Sequence, residues 1–214
     1  MQTAQAGISA LELPPFPDFV SAAAEPAPVS AATTRPPRVP EVRHRGVLDS
    51  PLGRIEVVSN GRAITGLAFE TAGRLPHDGH PVDRSDLIDD AVEQIEGYFS
   101  GTRRRFDLPV RPAVSDFQRA VLDALAEVEW GTPTTYGALA EAIARPAACR
   151  AVGRAIGQNP VPLLIPCHRV LSSTGSLTGY SQGDGDVTKA WLLDGEGIPF
   201  RWPPSRRPTP PVRL

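Results

Sequence analysis

Lysine is almost missing from this chain: of 22 basic residues among 214, Lys189 is the one lysine and all the others are arginine. Cysteine is scarce too. Cys149 and Cys167 are too few for a disulfide scaffold or a four-ligand zinc knuckle, so free thiols in a reducing cytoplasm are expected. No apolar run approaches the roughly eighteen residues needed to span a bilayer, which excludes a transmembrane segment. The N-terminus lacks both the basic and the apolar stretch of a secretory leader, so secretion is not expected either. Acidic residues are absent from Ala142 to Gly183, whereas Arg145, Arg150, Arg154 and Arg169 all fall in that window. The near-zero net charge of -2 predicts no partner by itself, but this uneven distribution does.

What is present is an ordinary globular composition, 41% hydrophobic and 21% charged, in a length that holds one large or two small domains. Proline marks the ends: eight of the 24 lie within residues 1–40 and five more from Pro203 to Pro211. Segments so poor in apolar surface do not offset their ordering entropy, so residues 1–41 and 203–214 are expected to be disordered.

Residues 42–112 read as a small α+β domain. Arg54-Ile55-Glu56-Val57-Val58 and Ala63-Ile64-Thr65-Gly66-Leu67 flank Asn60-Gly61, a strong hairpin signal, with a further strand near Gly46 to Asp49. Ser85 is the expected cap of a helix whose Ile88, Ala91, Val92, Ile95 and Phe99 share one face. His77 and His80 sit in a polar loop and read as solvated histidines rather than metal ligands.

Residues 113–202 read as a second, mainly helical domain. Ser115 and Gln118 form a capping-box pattern before the stripe Phe117, Ala120, Val121, Ala124, Leu125 and Val128. A helix from about Tyr136 to Ala144 is broken at Arg145-Pro146, and another runs from Ala147 to about Gly157. Two short helices across a tight break fit a helix-turn-helix, winged-helix-like arrangement, a pattern that other helical cores share. Arg150 and Arg154, four apart, share a face of the second helix. That face suits a phosphate backbone, or equally a set of salt bridges to the other domain.

The densest cluster is Asn159-Pro160-Val161-Pro162-Leu163-Leu164-Ile165-Pro166-Cys167-His168-Arg169-Val170-Leu171. Three prolines stiffen an apolar run that delivers a Cys-His pair, as a preorganised site requires, although a buried structural thiol beside a histidine reads the same way. In an extended segment the two side chains point to opposite sides. A turn at Cys167 or a bridging water is therefore needed before His168 can draw off the thiol proton.

With these residues in view the chain resembles the O6-alkylguanine-DNA alkyltransferases, the methylated-DNA–protein-cysteine methyltransferases, from about Val42 to Phe200. The resemblance is carried by Thr135-Tyr136-Gly137-Ala138-Leu139-Ala140, Arg150-Ala151-Val152-Gly153-Arg154-Ala155 and the Asn159 to Val170 string. Gly175-Ser176-Leu177-Thr178-Gly179-Tyr180 and Trp191-Leu192-Leu193 through Glu196-Gly197 complete it.

The resemblance implies an α+β fold with a ribonuclease H-like N-terminal domain and a DNA-binding C-terminal domain. It also implies single-turnover transfer of an alkyl group from O6-alkylguanine, with O4-alkylthymine as a candidate second substrate, to Cys167. His168 would take the thiol proton through a water, Glu196 would orient the imidazole, Tyr136 would donate to the departing base, and Asn159 would brace the turn. The Val170 carbonyl and Ser181 N–H would meet the base edge, with Tyr180 as an aromatic wall. Arg150 would fill the space of the flipped nucleotide in a minor-groove complex, flanked by Ala151 and Arg154. The partner implied is double-stranded DNA bound by a monomer, with no membrane, no metal and no cofactor.

Two departures from the family pattern stand out. Ser181-Gln182-Gly183-Asp184-Gly185-Asp186 is longer and more acidic than the family's usual small residue and Gly-Gly pair. Cys149 is expected to be a small core thiol rather than a second acceptor. The competing function is a lesion-binding protein that recruits other repair factors without chemistry; the presence of Cys167 counts against it. A cysteine hydrolase would need a separate base and an oxyanion site, and neither motif is present.

Overall fold

Alternation of apolar and polar residues builds a small antiparallel sheet first. In the computed structural model, which describes residues 42–203 and 205, β1 (His44–Ser50), β2 (Gly53–Ser59) and β3 (Ile64–Phe69) pair in the order β1-β2-β3. The predicted hairpin is present, with a four-residue loop. Asn60 Oδ1 accepts from the backbone N–H groups of Arg62 and Ala63, and the register shifts at Val58/Ser59. Expectations for the Pro-rich lead and for the tail, apart from Pro203 and Ser205, lie outside the described residues.

Helix α1 (Asp86–Phe99) lies on this sheet through Ile88, Ala91, Val92 and Ile95, all buried. It comes so close that a Cβ on Gly46 would collide with Ile88 Cγ2, so glycine is required at that point of β1. Ser85 occupies the N-cap position, but its hydroxyl makes no capping bond and is buried without a partner. Of the two loop histidines, His80 is exposed as expected, but His77 Nδ1 lies 2.6 Å from the buried carboxylate of Glu56, which also pairs with Arg45.

The remainder is helical. Helix α2 (Asp116–Ala126) is capped by Ser115, whose side chain accepts from Gln118 N. The capping box is only half made, because the Gln118 amide instead donates to the carbonyls of Ala155 and Gln158 at 3.1 and 3.0 Å. It thereby satisfies the end of α4 (Cys149–Gly157). Helix α3 (Tyr136–Ala142) starts at the Thr135 cap, and a short 3-10 turn, Pro146–Ala148, leads into α4. Helix α5 (Asp186–Gly195) ends at Glu196, where Gly197 turns left-handed and Ile198 N bonds Leu193 O.

Two features position the site. The two-residue strands β4 (Thr134–Thr135) and β5 (Val170–Leu171) pair in parallel, which fastens the start of α3 beside the chain leaving Cys167. The β3 edge reaches the same region, because Leu67 N donates to Pro160 O at 2.9 Å. One buried cluster runs without a break from Leu48 and Ile55 through Leu122 and Val152 to Cys167 and Leu192. No helix among the described residues is long and apolar enough to cross a membrane.

Candidate active site

Cys167 opens a single 3-10 turn, Cys167–Arg169, set by Arg169 N bonding Pro166 O and Val170 N bonding Cys167 O. This is the turn that a Cys-His pair needs. The run before it is held by Asn159, 2% exposed: its Nδ2 donates to Ile165 O at 2.9 Å and its Oδ1 accepts from Val161 N at 3.1 Å. Leu163, inside that run, has a left-handed φ of 72°, a conformation a branched side chain keeps only when packing demands it, and it is buried.

The thiol is buried, and Sγ lies 3.9 Å from the Tyr180 hydroxyl. Burial pushes the Cys167 thiol above its ordinary value; the Asn159 and Tyr180 hydrogen bonds and the Lys189 charge act in the other direction without cancelling it. A thiol held protonated needs a base to become a nucleophile. His168, fully buried, has Nε2 at 2.8 Å from Glu196 Oε1, while its Nδ1 has no hydrogen-bond partner. A carboxylate accepts only, so Nε2 carries the proton and Nδ1 is the free base. Burial lowers the imidazole below its ordinary value even against the pull of Glu196, which keeps it neutral and able to accept.

Glu196 collects donors from distant parts of the chain. Arg169 reaches it with Nε at 2.7 Å and Nη2 at 2.9 Å and also bonds Val128 O; Tyr98 OH donates at 2.8 Å and Gly131 N at 3.4 Å. Burial alone would raise this carboxyl, but the hydrogen bonds from His168 and Arg169 outweigh it and draw it down to about 2. Tyr98 arrives on α1, its ring stacked on Phe106 at 5.6 Å and edge-on to Trp130 at 5.0 Å. Tyr98→Phe keeps that packing and removes one donor. The expected cost is about 1 kcal/mol, a Tm lower by roughly 2–4 °C in thermal unfolding. An unchanged Tm would mean the hydroxyl contributes nothing to anchoring Glu196.

Tyr136 OH is 2.7 Å from Thr178 Oγ1. Lys189, the lone lysine, is 1% exposed; its ammonium donates to Val170 O at 2.6 Å and to Thr178 Oγ1 at 3.2 Å. The Val170 carbonyl, expected to face the base, thus already accepts one hydrogen bond from protein. Ser181 is exposed, with its side chain donating to Gly157 O at 2.9 Å at the end of α4. Arg150, Ala151 and Arg154 are exposed on α4, and neither guanidinium makes an ion pair among the described residues. Cys149 corrects an expectation. It is exposed, not in the core, because the first turn of α4 presents it to the surface, where Sγ lies 3.5 Å from Pro146 O.

The geometry therefore gathers Cys167, His168, Glu196, Asn159, Tyr180 and Val170 around one buried centre, with Tyr136 linked through Thr178. Arg150, Ala151, Arg154 and Ser181 are left on the outer face. Sequence reasoning passed over four side chains of this centre: Tyr98, Arg169, Thr178 and Lys189. The lone lysine, two residues before Trp191-Leu192-Leu193, was the one available signal. A cleft of about 750 Å3 borders residues 163–166 and Arg169, and its lining includes neither Cys167 nor His168.

Fold and site define a mixed α+β protein with a buried free thiol in the helical half. The family model described as "6-O-methylguanine DNA methyltransferase, DNA binding domain" matches residues 116–198, and the one described as its ribonuclease-like domain matches residues 44–112. A methylated-DNA–protein-cysteine methyltransferase of Haemophilus influenzae is 39% identical over 153 residues, covering 71% of this chain and 84% of that protein. One from Mycobacterium bovis is 36% identical over 72% of this chain and 92% of its own length. The crystal structure of the Mycobacterium tuberculosis O6-methylguanine methyltransferase is similar with a TM-score of 0.65 at 35% identity, covering 77% of this chain and 94% of that one. The same organism's protein solved in complex with DNA gives 0.63 at 36% identity over 72% of this chain and 92% of that one. The chain belongs to the methylated-DNA–protein-cysteine methyltransferase family.

Proposed function

We propose that this protein repairs alkylated DNA by direct reversal, with Cys167 as the acceptor. The observation that carries the reading is a buried thiol one residue from an imidazole whose Nε2 is held by Glu196 and whose Nδ1 is unpaired. His168 Nδ1 takes the thiol proton through a water. The thiolate then forms a bond to the alkyl carbon as the carbon–oxygen bond to guanine O6 breaks, with the electron pair leaving on the base. Tyr136 gives a proton to that base, which neutralises developing charge. The product is a thioether that water does not reopen, so each chain acts once.

The reacting atom is unreachable in a stacked duplex, so the nucleotide is flipped out. The exposed face of α4 supports a groove-bound complex: Arg150 fills the vacated stack, Ala151 allows close approach and Arg154 meets phosphate. The division at residue 112/113, the α3–α4 pair as a helix-turn-helix, minor-groove docking, a monomer and a cytoplasmic location belong to the same reading. Tyr180, Ser181 and the Val170 carbonyl form the base pocket, with Asn159 bracing it.

The test is intact-protein mass after mixing with excess duplex carrying one O6-methylguanine. One methylene per chain, mapped to Cys167, is expected. No mass change together with tight lesion-dependent binding would overturn the transfer and leave a damage-recognition protein.

A further inference from the structure

Thr178 is half-buried between two groups with opposite needs. On one side is the Lys189 ammonium, 3.2 Å from Oγ1; on the other is the Tyr136 hydroxyl, 2.7 Å from the same oxygen. We propose that Thr178 is a positioning residue that orders a one-way donor chain, Lys189 to Thr178 to Tyr136, and resupplies the proton that Tyr136 gives to the departing base. This deepens the function proposed above and rests on the Tyr136 role in it.

The direction follows from the donor inventory. A protonated lysine has three donors and no acceptor, so Oγ1 must accept from it. The cation also repels the threonine hydroxyl proton, which turns away from Nζ and towards the Tyr136 oxygen. Tyr136 then accepts from Thr178, and its own proton is left for the base.

Proton balance closes without another reagent. As the carbon–oxygen bond to guanine breaks, the Tyr136 proton moves to the base. The Thr178 proton moves to the phenolate, a Lys189 proton moves to Thr178, and Lys189 finishes neutral. Both ends of the chain favour this. Burial raises the Tyr136 hydroxyl above its ordinary value, so a lasting phenolate is costly there. Burial lowers Lys189 to about 8, with Cys167 and Asp186 acting the other way, so the ammonium releases a proton readily. Lys189 Nζ is also anchored at 2.6 Å by the Val170 carbonyl, which holds it at the chain's inner end.

The experiment compares Thr178→Val, which keeps the shape and removes the hydroxyl, with Thr178→Ser, which restores it, in the full chain. Three quantities are read: the single-turnover rate from O6-methylguanine duplex at saturating protein, the duplex Kd in a Cys167→Ala background, and the rate of Cys167 alkylation by iodoacetamide. Iodide leaves without a proton, so that last reaction does not use the chain.

Thr178→Val should slow transfer from DNA at least tenfold, with Kd and the iodoacetamide rate within twofold of the parent, and Thr178→Ser should recover to within threefold. Transfer by Thr178→Val within twofold of the parent overturns the proposal, and so does an equal fall in the iodoacetamide rate. Tyr136→Phe run alongside separates the two levels. If it transfers at the parental rate, the Tyr136 role itself fails. If it is slow while Thr178→Val is not, only the chain fails. Adding Thr178→Val to Tyr136→Phe should cause no further loss, because the two act in series.

Discussion

Replacing Cys167 with Ser is expected to leave a folded protein that binds lesion-bearing duplex and transfers nothing detectable. A hydroxyl has almost the volume of the thiol, so the turn and the Asn159 brace persist, but it is a far poorer nucleophile toward a saturated carbon. Kd for an O6-methylguanine duplex should change by less than about threefold, under roughly 1 kcal/mol, because the thiol is buried while the exposed arginines of α4 are untouched. The readouts are intact mass after mixing with lesion duplex and a binding isotherm. Methyl transfer at the parental rate would remove Cys167 as the acceptor, and exposed Cys149 would be the next thiol to map.

Glu196→Gln should have the largest effect on stability. Gln keeps an acceptor for His168 but loses the charge that compensates the Arg169 guanidinium, which is 6% exposed. An uncompensated buried charge costs about 3–5 kcal/mol, a Tm lower by on the order of 10 °C for a chain of this size. The effect is pH-dependent with a definite sign. The Glu196 carboxyl sits at about 2 when folded against an ordinary 4.5, so its stabilisation is fully present above about pH 4.5 and fades as pH falls towards 2. The gap in Tm between parent and variant should therefore narrow across that window. The imidazolium formed at His168 also loses its anion, so transfer at pH 7 should slow on the order of 100-fold. Equal Tm values at pH 7 would show that Glu196 does not anchor Arg169.

Taken together, the two variants separate the proposed nucleophile from the frame proposed to activate it. Each kilocalorie lost at Glu196 is lost from a network that spans the chain: Tyr98 on α1, Gly131 before β4, and His168 and Arg169 on the cysteine turn. That network ties Tyr98, from the first part of the described chain, to a site whose candidate nucleophile lies in the second half.

Local features were legible because they depend on neighbours in sequence. Alternation and Asn60-Gly61 specify the hairpin, the i, i+3, i+4 face of α1 specifies what it buries, and Ser115 caps α2 as its position requires. The Cys-His pair left a turn or a bridging water open, and the structure has the turn. Gln118 shows where such reading stops. Its spacing from Ser115 fits a capping box, yet the amide is taken by two carbonyls at the end of α4, 37 and 40 residues away. Cys149 shows the same limit, since composition favours burial for a free thiol while the start of α4 exposes it.

By itself, then, the sequence determined the hairpin and the buried faces of α1 and α2, because these follow from periods of 2 and 3.6, while the candidate nucleophile came from the family resemblance. Tertiary structure alone decided which polar groups meet. Tyr98 and Glu196 are 98 residues apart, and Lys189 reaches the Val170 carbonyl and Thr178 only once α5 packs behind the thiol. The physical reason is that a buried polar atom must find a partner wherever packing places one, and no local pattern records where that will be.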